Sequence, residues 1–97
     1  KVWIAPRFIT RQLSPSEQLG ILERGDVLVQ YKPSAVTDSQ ISTWKTTVSE
    51  RAHLAPNSDL PSDFVMTAHL TKQICTDLTT AAINRFVEAN VDSGQKN

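Results

Sequence analysis

Leu22-Glu23-Arg24-Gly25-Asp26-Val27-Leu28-Val29-Gln30-Tyr31 is the stretch from which the rest of this chain is read. Its first half is polar and carries a glycine, the residue that lets a chain turn where a side chain would be strained. Its second half is rich in valine and closes on tyrosine, the composition of a strand. Alternation puts Val27, Val29 and Tyr31 on one side of that strand and Leu28 and Gln30 on the other. Lys32-Pro33 ends it, because proline brings no donor to a ladder.

Downstream, Thr37 to Glu50 has a helical period. Thr37 and Gln40 make a capping-box spacing, and Ile41, Trp44 and Val48 fall on one face. Threonines at 43, 46 and 47 weaken its own propensity, so the helix depends on docking Trp44. Ala52 to Ala55 is predicted as a short strand ended by Pro56, and Asn57 to Ser62 as a loop of turn residues. Asp63 to Thr71 alternates Phe64, Met66 and Ala68 against Val65, Thr67 and His69, with Gln73 to Thr76 as a hairpin partner. Thr79 to Asn90 is predicted helical, with Ile83, Phe86, Val87 and Val91 as its apolar stripe and Asp77 or Thr79 as its cap.

Upstream, Val2-Trp3-Ile4 and Phe8-Ile9 are apolar runs interrupted by Pro6, which predicts an irregular extended arm or edge strand over residues 1–12. Ser14-Pro15-Ser16-Glu17 reads as a turn or a one-turn helix start, capped by Ser14, with Leu19, Ile21 and Leu22 packing its end on the core. Residues 13–91 then form a single domain, and 92–97 a polar tail that frays. The expected fold class is α+β: a small, mainly antiparallel sheet of three to five strands, with two helices packed on one face, in the order β-α-β-β-(β)-α.

Composition narrows the function. At 97 residues there is room for one core. Ten basic and ten acidic side chains cancel, which removes the electrostatic footprint of a nucleic-acid or anionic-membrane binder. No apolar run reaches the roughly 20 residues of a membrane helix. Cys75 is the single cysteine, so there is no internal disulfide and no multi-cysteine zinc cluster. Glycines at 20, 25 and 94 only cannot build a phosphate-cradling loop. A chain that begins at Lys1 rather than Met is expected to be a processed or trimmed product, with any targeting segment or anchor upstream.

Several of these stretches resemble a family. Leu22-Glu23-Arg24-Gly25-Asp26-Val27 stands where an uncharacterised, mostly bacterial family (a domain of unknown function) carries a Leu-Glu-His-Gly-Gly-Val-Val type signature. Val29-Gln30-Tyr31-Lys32-Pro33 resembles the strand and proline that follow. Ala55-Pro56, Leu60-Pro61 and Val65-Met66-Thr67-Ala68 resemble the family's proline-flanked loop and strand, and Ala82 to Asn90 with Gly94 its closing helix and tail. The departures are chemical. Arg24 replaces the signature histidine and Asp26 its second glycine. An upstream family histidine has no counterpart among Leu19, Gly20 and Ile21. Thr67-Ala68-His69-Leu70 stands where many members read Thr-Ala-Trp-Gly. The resemblance implies a fold and an extracytoplasmic or membrane-associated setting, and it implies that groups carried by the family histidines are missing here.

Candidate sites follow from residue type. Arg24, beside Glu23 at the entrance to a strand, is a fork for a carboxylate or other anion on a partner, or a plain surface arginine. Trp3 and Phe8 on a proline-broken arm are aromatic anchors for a partner, or cover for the domain's own core. His53, His69 and Cys75, with Asp77 in reach, are the one conceivable metal set, although no pair has a diagnostic spacing. The plainer reading is two histidines and a buried thiol. There is no Gly-x-Ser-x-Gly elbow, and Asp59 and Asp63 sit in a polar loop as solvating groups. The expectation is therefore a non-enzymatic structural or interaction domain, an accessory subunit of a larger assembly with protein partners and no cofactor. The alternative is a small metal- or ligand-binding domain using His53, His69 and Cys75, and a hydrolase ranks third.

Overall fold

A computed structural model describes residues 6–68, 71–75 and 79–95. The elements run α1 (Pro15–Glu23), β1 (Val27–Tyr31), a 3-10 turn (Pro33–Ala35), α2 (Asp38–Thr47), β2 (Ala52–Pro56), β3 (Phe64–Ala68), β4 (Thr71–Cys75) and α3 (Thr80–Gln95). The four strands form one sheet in the order β2-β1-β3-β4. β1 pairs with β2 in parallel, as a strand-helix-strand crossover requires, while β1–β3 and β3–β4 are antiparallel. The expected α+β class and mainly antiparallel sheet are what the chain forms.

The pleat of β1 divides the molecule. Val27, Val29 and Tyr31 point with Leu54, Phe64 and Met66 into a core closed by Trp44 and Val48 on the α2 side and by Ile83, Phe86 and Val87 of α3. Trp44 tilts against Tyr31 with ring centroids 6.0 Å apart. Of the predicted helix stripes, Trp44, Val48, Ile83, Phe86 and Val87 are buried and Ile41 is partly buried against them, while the side chain of Val91 lies outside the described residues; each fully buried Ile, Leu or Met contributes about 1.5–3 kcal/mol. Both helices are held at their N-termini as predicted. Thr37 Oγ1 accepts from the Gln40 amide while Gln40 Oε1 accepts from the Thr37 amide, and Thr79 Oγ1 accepts from the Ala82 amide.

Leu28 and Ala55 face the other way, into a smaller cluster with Ile9, Leu13 and Ile21. This side carries the main correction. The segment expected as a turn or single helical turn is a nine-residue helix, α1, and it packs on the face opposite to α2 and α3. Its start is as read: a reciprocal capping box between Ser14 and Glu17, with proline in the first turn. Only Ile21 is buried on it. Leu19, expected in the core, is 53% exposed, because α1 turns one short stripe inward, with Ile21 on it. At the other end of the chain α3 continues to Gln95, past the predicted end at Asn90; no proline intervenes to stop it.

The arm is part of the sheet. Phe8 bridges Leu54 in parallel, the Leu54 amide donates to the Arg7 carbonyl (2.8 Å) and the Ile9 amide donates to the Leu54 carbonyl (2.8 Å). Arg7 to Ile9 therefore covers the outer edge of β2, an arrangement that keeps an open ladder from pairing elsewhere. No helix among the described residues is long and apolar enough to cross a membrane.

Candidate functional site

The turn between α1 and β1 builds the one buried charged cluster among the described residues. The Gly25 amide donates to the Leu22 carbonyl (3.0 Å) and the Asp26 amide to the Ile21 carbonyl (3.3 Å), the paired bonds of a Schellman C-cap. Gly25 takes φ +85°, where a side chain would be strained. That turn delivers Asp26 to the start of β1 on the Leu28 side of the pleat. Across the parallel ladder Leu28 stands opposite His53, and the Val27 amide donates to the Arg51 carbonyl (2.9 Å). Arg51, immediately before β2, and His53 on it, two residues apart, thus project toward Asp26 from the same side.

The contacts are short. Arg51 Nε donates to Asp26 Oδ1 at 2.6 Å. His53 Nε2 lies 2.8 Å from Asp26 Oδ2, and His53 Nδ1 lies 2.9 Å from the Pro6 carbonyl oxygen. Asp26 is 7% exposed and His53 6%. Donor and acceptor chemistry assigns the protons. A carbonyl only accepts, so Nδ1 carries a hydrogen. An ionised carboxylate, which here also accepts from Arg51 Nε, accepts as well, so Nε2 carries one too. Both contacts together need the doubly protonated imidazolium.

This geometry limits the chemistry. A histidine oriented by an aspartate is half of a nucleophile-activating set, in which the second ring nitrogen must face the nucleophile. Here that nitrogen faces the Pro6 main chain. Both nitrogens are consumed in tying the arm, the turn before β1 and the start of β2 to one another.

Those residues singled out in the sequence that the structure describes are not brought together. Trp3, His69 and Asp77 lie outside the described residues. His53 is on β2 and Cys75 ends β4, opposite Phe64. β1 and β3 stand between those two strands, a separation on the order of 14 Å, several times a metal–ligand bond. No group of three His, Cys, Asp or Glu that could hold a metal occurs among the described residues. Phe8 is partly buried against the larger core, with the Arg7 guanidinium 5.1 Å from its ring centroid, so it serves the domain's own packing. Arg24 caps α1 through its main chain, and its side chain is exposed, with no ion pair among the described residues. Asp59 is in the polar loop, accepting from Gln12 Nε2 at 3.2 Å.

A groove of about 600 Å³ opens beside the cluster, lined by Arg7, Lys45, Ser49, Glu50, Arg51 and Asn84 among others. Much of its polar lining is already engaged in pinning the loop after α2. Asn84 Oδ1 accepts from the Ser49 amide (2.8 Å), Asn84 Nδ2 donates to the Thr47 carbonyl (3.0 Å), and Arg7 Nη2 donates to the Val48 carbonyl (2.7 Å).

Reading the sequence missed the Asp26–His53–Arg51 cluster because its members lie up to 27 residues apart and no local spacing marks them. The usable signal was parity. Asp26 and His53 both fall on the Leu28 side of two strands that a crossover must set in parallel.

The family model described as "Protein of unknown function (DUF3105)" matches residues 1–97. No curated protein and no solved structure matches the chain.

Proposed function

The chain belongs to the DUF3105 family of proteins of unknown function, and from that premise we propose that it is a non-enzymatic interaction domain, an accessory subunit that docks on a protein partner. The observation that carries this reading is the state of His53. Among the described residues the one histidine is buried, and with the arm closed both its nitrogens are spent on holding the arm and Asp26. The surface offers groups suited to a partner instead. Arg24 is an exposed guanidinium at the C-cap of α1, and Leu19 on that helix is 53% exposed. An exposed guanidinium able to fork a carboxylate and an exposed apolar side chain are each groups that protein interfaces use.

A photo-cross-linker installed at position 19 in the native host tests this, with position 45 on α2 as the control. The expected result is one recurrent protein captured from position 19 in stoichiometric amount and lost on Arg24→Glu. A chain that runs as a monomer and yields no stoichiometric cross-link at position 19 overturns the proposal.

A further inference from the structure

We infer that His53 is a proton-operated latch that closes the N-terminal arm over the outer edge of β2. The inference rests on counting donors. In the closed arrangement one imidazole ring gives a hydrogen to the Pro6 carbonyl at 2.9 Å and another to the Asp26 carboxylate at 2.8 Å. Neutral imidazole owns a single N–H and cannot supply both. The bond to the carboxylate is charge-assisted and the stronger of the two, so on loss of a proton the ring keeps Nε2–H on Asp26. Nδ1 then turns a lone pair toward the Pro6 oxygen, acceptor against acceptor, and that contact opens.

The charged surroundings favour this order of events. Asp26, from the turn before β1, touches the ring directly, and Arg51, just before the ring's own strand, holds the far carboxylate oxygen at 2.6 Å. Arg7 on the arm directs its guanidinium to the Val48 carbonyl at 2.7 Å, and Glu23 and Arg24 at the end of α1 are exposed to solvent. Opening begins at Pro6 and spreads along the two bonds that hold the arm to Leu54, which are main-chain contacts on a strand edge. With the arm loosened, the Leu54 amide and carbonyl become an unfilled ladder position that an extended segment of another chain can pair with. The latch stands on its own geometry whether or not Arg24 and Leu19 meet a partner.

Amide exchange on the full chain tests it. The Leu54 and Ile9 amides report the arm, and Val29 in the central strand β1 serves as internal reference, each corrected for its intrinsic rate. Between about pH 5 and about pH 8, the range in which histidine changes charge, protection of Leu54 and Ile9 relative to Val29 is expected to fall by about tenfold, the worth of one hydrogen bond to a charged group. In His53→Gln the ratio is expected to stay flat. A flat ratio in the unsubstituted chain, or the same fall in His53→Gln, overturns the latch. Imidazole nitrogen shifts of the unsubstituted chain give a second reading that needs no variant. Both nitrogens protonated at the acid end and one at the alkaline end support the latch, and an unchanged protonation state throughout overturns it.

Discussion

The two faces of the sheet are built on opposite rules. Under α2 and α3 lies an apolar core of thirteen buried residues among those described, with Trp44, Met66 and Ile83 in it. Under α1 the buried apolar cluster has five described members. The three buried polar residues of the described structure, Asp26, Gln30 and His53, all fall on this second face by the parity of β1 and β2. Each is partnered: Asp26 and His53 with one another, and Gln30 Oε1 with Asn57 Nδ2 at 2.8 Å. An apolar face gains free energy from area and tolerates many packings. A face with few apolar contacts and several buried polar groups gains little net stability but accepts few alternatives, because each displaced partner leaves a desolvated group unpaired. The first face holds the domain together. The second determines how the turn before β1, the strand β2 and the arm sit on it.

The largest effect should come from the dry face. Trp44→Ala removes the ring that packs on Tyr31 and fills the space beneath α2, a helix of modest propensity with no other fully buried side chain. A cost of about 3–5 kcal/mol is expected. In urea this appears as a lower midpoint at unchanged slope. A loss under about 1 kcal/mol would break the comparison, since it would mean the larger cluster is not where stability resides.

How far the sequence carried depends on the face. Val27, Val29 and Tyr31 alternate, Ile41, Trp44 and Val48 fall on a helical stripe, and Ile83, Phe86 and Val87 do the same, so the dry face was legible residue by residue. Periodicity is a record of apolar burial and reads well where burial is apolar. The second face left a poor record. In α1 the apolar residues Leu19, Ile21 and Leu22 surround Gly20 and share no single stripe, and only Ile21 is buried, so a nine-residue helix read as a turn or a one-turn helix start. Arg24 drew attention as the replacement for a signature histidine and proved to be exposed. The chemistry one position from Gly25, at Asp26, was missed because its partners come from β2. The arm was recognised as extended, yet its pairing with Leu54 has no marker in its own residues.

Removing the buried carboxylate gives the next largest effect. Asp26→Ala leaves the Arg51 guanidinium and the His53 ring without their shared acceptor, and truncating one partner of a buried ion pair costs about 3 kcal/mol. The sharper measurement is the double variant with His53→Ala. If the second face works through partnership, the His53 substitution should cost clearly less in the Asp26→Ala background than in the unsubstituted chain, a non-additivity of about 1 kcal/mol or more by urea unfolding. Strict additivity would show the two residues acting independently and would remove the reason for treating this face as a specificity device.

The smallest effect belongs to an ion pair at the solvent end of this same side of the molecule, and it separates charge from burial. Arg11 clamps Glu17 in bidentate fashion, at 2.8 and 2.6 Å, and the Ser14 amide adds a third donor at 2.9 Å. The Arg11 bonds chiefly, then the Ser14 amide, hold the Glu17 carboxyl at about 2, below its ordinary 4.5. A carboxyl lowered on folding stabilises the fold at pH values above its unfolded titration and loses that contribution as pH falls through the folded one. The window is therefore from about 4.5 down to about 2. Glu17→Gln is the right probe, because glutamine at this position preserves the reciprocal capping box with Ser14 and removes only the charge. The gap in urea midpoint between the two chains should be constant from neutral pH to about 4.5, shrink below it and vanish near 2, and added salt should narrow it at neutral pH. A gap that persists at pH 2 would assign the effect to helix capping rather than charge. Because Arg11 is 57% exposed, its pair should respond to salt far more than the shielded Asp26–His53 pair, and equal salt sensitivity would erase the distinction between the two.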